Sequence, residues 1–315
     1  SLMTLSRRAA GSGKITLATY LRQVAQISEI DRLVALSQSD LEIFTPSLST
    51  LPIMRAKADF ALAKKIFESP VCCRLATSST GDGWIVNSRL GLFNMATDSS
   101  EFVEKDVFDQ PDGGPSSEEK IYQLCEKQYL PLYEGKFISH FDHRFSSYHN
   151  LGIEKGRGGR GLPPVKIDEY QDPSFEVLPR YWIDSNLVEQ KLSDIGWKRD
   201  WLVSWRDVAN AKVERTITAS FIPKYGVGHT CSLLFANGSS DLTACLTANL
   251  NSLVFDYSAR QIIGGNHVTF GYLSQLPLVR PSFYDEVRTA FAVSRVLELT
   301  YTSHSLAPFA RDLGH

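Results

Sequence analysis

The sequence predicts an α+β fold, strand-rich through its middle and flanked by helices. Three observations carry that expectation. Residues 55–69, RAKADFALAKKIFES, set Ala58, Leu62, Ile66 and Phe67 on one helical face. RTITASFIP alternates polar and apolar side chains through Ile222, the period-two mark of a half-buried strand closed by Pro223. Residues 281–299 then return to helical spacing as a long amphipathic stretch.

The other elements follow in order. Residues 16–36 hold leucines, valines and isoleucines at mixed spacing, read as a short helix leading into a strand near Leu33. Ser39 is placed to cap a helical turn from Asp40, because its hydroxyl accepts an orphan amide, and TPSLSTLP is a turn. VCCRLA and GWIVNSRLGLF are apolar or alternating runs split by a Ser/Gly turn, hence strands. QPDGGPSS (110–117) is too rich in Pro and Gly for regular structure, and a short helix is expected over 118–127. Residues 131–145 read as a strand running into a polar loop, and 152–164 as a loop. VLPRYW (177–182) is a strand, 186–195 a helix, and WLVSWRDVAN a strand with Arg206 and Asp207 at its end. GVGHTCSLLFA is a further strand. Asp241 is placed to cap a helix carrying Leu246 to Phe255, after which ARQIIGGNHVTFGYLSQLP returns to strand and turn. SHSLAPFARDLGH is read as the start of another helix.

Composition narrows the function classes. A chain of 315 residues with 43% hydrophobic and 22% charged residues suits one large globular domain or two closely packed ones. It has no apolar run of about 18 residues to span a membrane. The start, SLMTLSRRAAGSGK, lacks the apolar core of a secretory signal. Ser1 and Leu2 before Met3 read as an added remnant, so the natural chain is expected to begin in a longer protein. Five cysteines without CxxC spacing argue against a zinc ribbon or a disulfide framework, and for a reducing cytoplasm. Net charge is only −2, but it is unevenly spread. Acids dominate 98–119, with Lys105 the lone base; over 135–161, Lys136, Arg144, Lys155, Arg157 and Arg160 oppose Asp142 and Glu154. A neutral chain with one basic face is compatible with DNA.

The stretch PLYEGKFISHFDHRF (131–145) concentrates Glu134, Lys136, His140, Asp142, His143 and Arg144 among four aromatics. Each ionisable group needs a partner or water, so such a stretch either shows them to a ligand or runs from a strand into a solvated loop. The run KGRGGRGLPP is a mobile loop by composition, and arginines on a glycine backbone also suit a phosphate chain. It does not follow a strand and open a helix, so it is not a dinucleotide or S-adenosylmethionine loop. Pro111-Asp112 followed by Glu134-Gly135-Lys136 has the order of a PD…(D/E)xK nuclease, in which carboxylates hold Mg²⁺ and a lysine assists the attacking water. His140 and His143 lack the three or four converging ligands of a zinc site. No GxSxG elbow is present.

The words PIMRAKAD, FNMATDSSEF, LYEGKFISHFDHRF, PRYW, WRDVANAKVERTITASFIP, GVGH, LTANLNSLVFDYSARQIIGGNH, QLP and LTYTSHSLAPFARDLG, in that order, resemble large adenine-N6 DNA methyltransferases of restriction-modification and phage-defence systems. The resemblance covers more than two hundred residues, and the matched part is the target-recognition region and its helical extension. The resemblance implies a sheet-rich target-recognition core with flanking helices. Residues 1–125 are then the part linked to an upstream methylase, 126–280 the recognition core, and 281–315 a helical extension. An (N/D/S)PP(Y/F) tetrapeptide is missing, since LPPV at Leu162 has neither the polar residue nor the aromatic. Catalysis and S-adenosylmethionine are accordingly expected in the upstream domain, with no cofactor or metal in this segment.

The expected partners are double-stranded DNA and the methylase domain of the same polypeptide, in the cytoplasm and not at a membrane. Base readout falls to Arg, Asn, Gln and His on loops: Arg144, Arg157, Arg160, Gln261, Asn266 and His267. Lys136, Lys155, Lys198, Arg199 and Arg215 are expected at phosphates, and His140 and His143 at backbone or phosphate. Trp205-Arg206-Asp207 and Asn249-Leu250-Asn251 are expected to pin loops, with Arg206 and Asp207 as an ion pair. A protein-docking scaffold is the rival reading.

Overall fold

The computed structural model describes residues 13–47, 50–78, 81–108, 113–115, 121–124, 126–149, 161–209 and 214–315. In chain order, β1 (Ile15–Leu17), β2 (Val34–Leu36), α1 (Gln38–Phe44) and α2 (Lys57–Phe67) come first. Then come β3 (Cys72–Cys73), β4 (Leu75–Ala76), β5 (Trp84–Arg89) and β6 (Val103–Glu104). Next are β7 (Gly113–Pro115), β8 (Tyr122–Leu124), β9 (Lys127–Tyr133), α3 (Ile167–Gln171), β10 (Tyr181–Asp184) and α4 (Ser185–Ile195). The middle continues through β11 (Trp201–Arg206), β12 (Ala219–Pro223), β13 (Gly226–Val227) and β14 (Cys231–Ala236). Last come α5 (Ser240–Leu250), α6 (Leu253–Ile262), α7 (Phe270–Leu273), β15 (Leu278–Val279), α8 (Glu286–Thr300) and α9 (Ala307–Asp312). The fold is α+β, as the sequence predicts.

The central sheet runs β12-β11-β14-β5-β4. Val203 lies opposite both Phe221 and Leu234, and Ser204 opposite Ser220 and Leu233. Period two then divides the sheet's side chains between two cores. Trp201, Val203, Trp205, Ala219, Phe221, Leu234 and Val86 enter one, while Leu202, Ile222, Leu233 and Phe235 enter the other. The 219–223 strand is therefore buried on both faces, where half-burial was expected. Its small polar residues are buried too: Thr218, Ser220 and Ser232 are at most 5% exposed.

Helices α5, α6, α8 and α9 close the first core, where Leu246, Leu250, Phe255, Val296 and Phe309 meet the tryptophans. Phe309 stacks on Phe221 at 3.9 Å between ring centres. Trp84 and Val86 from 1–125, Trp205 and Phe255 from 126–280, and Phe309 from 281–315 all share this cluster. The second core lies against a sheet ordered β6-β10-β9-β8-β7, to which β13 adds by pairing parallel with β9. Gly91, at φ +70°, lets the chain turn where an added Cβ would sit 2.6 Å from the carbonyl carbon of Gly228. Phe108, Tyr122 and Trp182 form a small third cluster, with Phe108 and Tyr122 stacked at 4.4 Å.

Several local expectations are corrected. The expected helix over 118–127 is replaced by β8 and the start of β9, a hairpin with Leu124 opposite Lys127 and Glu126 at φ +67°. Tyr122 wins that contest, because its ring belongs in the aromatic cluster. Gly113–Pro115, expected to be irregular, is an edge strand beside β8. The expected single helix around 246–255 is two helices, because Ser252 caps α6 by accepting from the amide of Phe255. That second helix runs to Ile262, and α7 follows, where strand and turn were expected. Ser37 rather than Ser39 caps α1, and Ser239 rather than Asp241 caps α5. In α2 the buried positions are Ala63 and Phe67, with Leu62 exposed. The GVGHTCSLLFA run splits into β13 and β14 around a turn, the 177–182 strand starts only at Tyr181, and the last long helix starts at Glu286 after a 3₁₀ turn. Among the described residues, no helix is long and apolar enough to cross a membrane.

Candidate functional site

The sequence words converge on one framework beside β11 and β12. Tyr133 ends β9 fully buried, and the next turn brings Gly135 against Thr230 so closely that an added Cβ would overlap the Thr230 carbonyl. Gly135 N donates to Thr230 Oγ1 at 3.1 Å. Arg206, at the end of β11, donates through Nε to the Gly135 carbonyl at 2.8 Å and through Nη2 to that of Ile138. Phe141 is in the left-handed region at φ +61°, and its amide donates to Ala219 O at 3.0 Å. His140 Nε2 lies 2.8 Å from the Ile217 carbonyl, and burial pulls its pKa below the ordinary value.

The same strand is held from the helical side. Asn251 makes a two-way amide bridge, accepting from Ala219 N at 3.0 Å and donating to Ala219 O at 2.8 Å. Asp256, 4% exposed, accepts from the amides of Thr216 and Ile217 at 2.6 and 2.9 Å and from Arg260 Nε at 2.9 Å. Arg215 lies 3.7 Å from Asp256 and donates to the Asn251 carbonyl at 2.5 Å. Charge-assisted bonds of this kind are about twice as strong as neutral ones, so the segment has little freedom.

The remaining expected site residues separate by burial. Arg144 is fully buried; its guanidinium donates to the carbonyls of Asp172, Phe175, Tyr170 and Thr302 at 2.6–3.1 Å. It ties the 131–145 stretch to the C-terminal segment and offers nothing to a base edge, which corrects the expectation for this side chain. His143 is equally buried, 2.8 Å from Ser303 Oγ through Nε2. Burial, then the charge of Arg144, depress its pKa to about 3, so it is neutral and structural. Gln261 is 7% exposed and bonded within its own helix to Tyr257 O at 3.2 Å, which removes it from readout.

Lys136 is shared between Glu134 Oε2 at 3.0 Å and Tyr148 OH at 2.6 Å, and lies over the Tyr148 ring. That pairing also commits the lysine and acid of the nuclease pattern to each other. Arg199 stacks over Trp201 and donates to Thr243 Oγ1 at 3.2 Å, leaving exposed Lys198 beside it at the α4–β11 turn. Asp112, Cys125, Lys155, Arg157 and Arg160 lie outside the described residues.

Asn266 and His267 are brought together on an exposed loop, 264–267. The loop is gripped from both sides. Ile53 donates to Gln261 O at 2.6 Å, and its Cδ1 would lie 2.5 Å from a Cβ on Gly264. Opposite, Ala209 N donates to Asn266 O at 3.1 Å and Val268 N to Asp207 O at 2.8 Å. Asp207 is 6% exposed and its Oδ2 lies 2.6 Å from His267 Nδ1, while the His267 side chain is 62% exposed. Arg206 and Asp207 therefore do not pair, because neighbours at a strand end face opposite ways. A carboxylate accepting from Nδ1 fixes the ring and leaves Nε2 outward: an acceptor when the ring is neutral, a donor when protonated.

Sequence reasoning missed Asp256 and the Asp207–His267 pair, whose partners are forty and sixty residues away; no local signal marks them. Among the described residues, no group of three or more His, Cys, Asp or Glu side chains is placed to hold a metal ion. Among the described cysteines, burial pushes Cys231 up to about 12 and Cys245 up to about 11, and raises Cys72 and Cys73, which disfavours the thiolate at those four. Neither protein-family models nor curated proteins yield a match to this chain.

Proposed function

We propose that this chain is the target-recognition portion of an adenine-N6 DNA methyltransferase of a restriction-modification or phage-defence system. It grips duplex DNA at a short sequence in the cytoplasm, while an upstream domain of the same polypeptide binds S-adenosylmethionine and methylates a flipped adenine. One observation carries this best. Residues from five of the resemblance's words, from Ile53 in PIMRAKAD to Ser303 in the final one, are joined by hydrogen bonds around β11 and β12, and the exposed product is the 264–267 loop. A rigid scaffold presenting a short polar loop is how base edges are read to within hydrogen-bond tolerance.

In this reading Asn266 supplies the amide suited to adenine, and His267, oriented by Asp207, supplies a second polar contact. Lys155 and Lys198 supply phosphate contacts that position without specifying, with Arg157 and Arg160 proposed beside Asn266 at base edges. Arg144, His143 and Gln261 hold the scaffold. Fluorescence anisotropy with labelled duplex at two salt concentrations tests the proposal. Affinity that falls steeply with salt supports it. No DNA binding by the chain, alone or joined to its methylase, refutes it.

A further inference from the structure

A second polar feature is linked to the recognition loop through the 53–55 segment. Tyr20, Arg22, Gln26, Arg32 and Arg55 line a cavity of about 290 Å³. Three arginines line one space, and Glu29, 2.5 Å from Arg32 Nε, is the carboxylate paired among them. Neither Arg22 nor Arg55 has a carboxylate partner among the described residues. Like charges gathered around a cavity repel unless an anion fills it.

The cavity is built rather than incidental. Tyr20 adopts φ +57°, a left-handed conformation that a bulky side chain enters only when its surroundings hold it there. That backbone sets its ring 4.8 Å from the Arg55 guanidinium carbon. Thr19 Oγ1 donates to the Met54 carbonyl, which ties the Tyr20 turn to the Arg55 segment. Gln26 Oε1 accepts from the amides of Arg22 and Gln23 at 2.7 and 3.1 Å, so the side chain is fixed with its amide N–H₂ to spare. Arg55 stands two residues from Ile53, the residue that grips Gly264 and Gln261. The cavity wall and the recognition loop are thus braced on the same short segment.

We infer that this cavity is a phosphate site, which takes one backbone phosphate of duplex DNA next to the bases met by Asn266 and His267. Planar guanidiniums on two sides match the bidentate geometry of phosphate oxygens, and the aromatic face of Tyr20 keeps Arg55 in place. The inference rests on the DNA-recognition reading for the source of the phosphate, but not for its chemistry.

The test is the double variant Arg22→Ala/Arg55→Ala in the full chain, with the charge-keeping Arg55→Lys beside it and circular dichroism melting as a check on folding. Duplex DNA is titrated at several salt concentrations, and inorganic pyrophosphate is titrated separately by calorimetry. The expected result is DNA affinity about 10-fold weaker for every sequence tried, with the slope of log K against log salt reduced by about 1, and Arg55→Lys intermediate. DNA binding by the double variant with unchanged affinity and slope overturns the inference and leaves the recognition function standing. If the wild type binds no duplex at all, the recognition reading falls, and pyrophosphate decides the site alone. Pyrophosphate binding lost in the double variant supports a phosphate site; no pyrophosphate binding by the wild type overturns it.

Discussion

Arg144 gives the sharpest separation between scaffold and DNA contact, because both roles were open to it in the sequence. The perturbation is Arg144→Met, which keeps length and apolar stem while removing the charge and every donor. Four bonds to backbone carbonyls disappear, and those of Tyr170, Asp172, Phe175 and Thr302 lose this partner. Each charge-assisted bond contributes about 1.5–3 kcal/mol before the guanidinium's own desolvation is subtracted, and that desolvation is several kcal/mol. The net expected loss is about 3–5 kcal/mol, in the range of breaking other buried charge networks. Urea unfolding followed by tryptophan fluorescence measures it, with Trp182, Trp201 and Trp205 fully or almost fully buried as reporters. The expected outcome is a large drop in the unfolding midpoint, with DNA affinity unchanged at low temperature where the fold persists. A variant of wild-type stability that binds DNA a hundredfold more weakly would falsify the scaffold assignment.

Other outcomes follow from the same framework. His143 has an ordinary pKa of 6.5 when unfolded but about 3 in the folded chain, so the unfolded state binds the extra proton between those values. Its stabilising contribution is full above pH 6.5 and is lost as pH falls toward 3, by about 1.4 kcal/mol per unit. His143→Gln should flatten the fall in urea midpoint between pH 7 and pH 5, and an unchanged slope would sink the assignment. Gly135→Ala should destabilise by about 2–3 kcal/mol, since the new methyl must displace the Thr230 backbone; a neutral effect in thermal melts would contradict the packing. Asn266→Ala/His267→Ala should lower affinity for the cognate site by about 10- to 100-fold while leaving binding to unrelated duplex intact, as measured by competition. Equal loss on both duplexes would assign the loop to phosphates instead.

Long strands and helices were legible because their side chains repeat the period of the element. Glu286 to Thr300 buries Val293, Val296 and Thr300 at helical spacing, while Trp201 to Arg206, buried through five successive residues, was legible as a short apolar run. Strands of two or three residues, such as Tyr122–Leu124 and Gly226–Val227, carry no period of their own and exist because a neighbour pairs with them. The 131–145 stretch was legible as important but not as buried. Its Arg144 and His143 are satisfied by Thr302 and Ser303, about 160 residues away, and local sequence cannot distinguish a satisfied charge from a presented one. The loop carrying Asn266 and His267 was identified from residue type, while the carboxylate that orients it, Asp207, was assigned to the wrong partner because strand-end geometry decides the pairing. Tyr20 and Arg55, 35 residues apart, gave no signal until the chain brought them together.

Sequence-selective DNA recognition is tested most directly by selecting duplexes from a randomised library on this chain, alone and joined to the proposed upstream methylase domain, and sequencing what is retained. One short motif should be enriched over successive rounds, and the enrichment should vanish in Asn266→Ala/His267→Ala while total DNA retained stays nearly constant. Retention with no preferred motif, or no retention at all, would contradict the account.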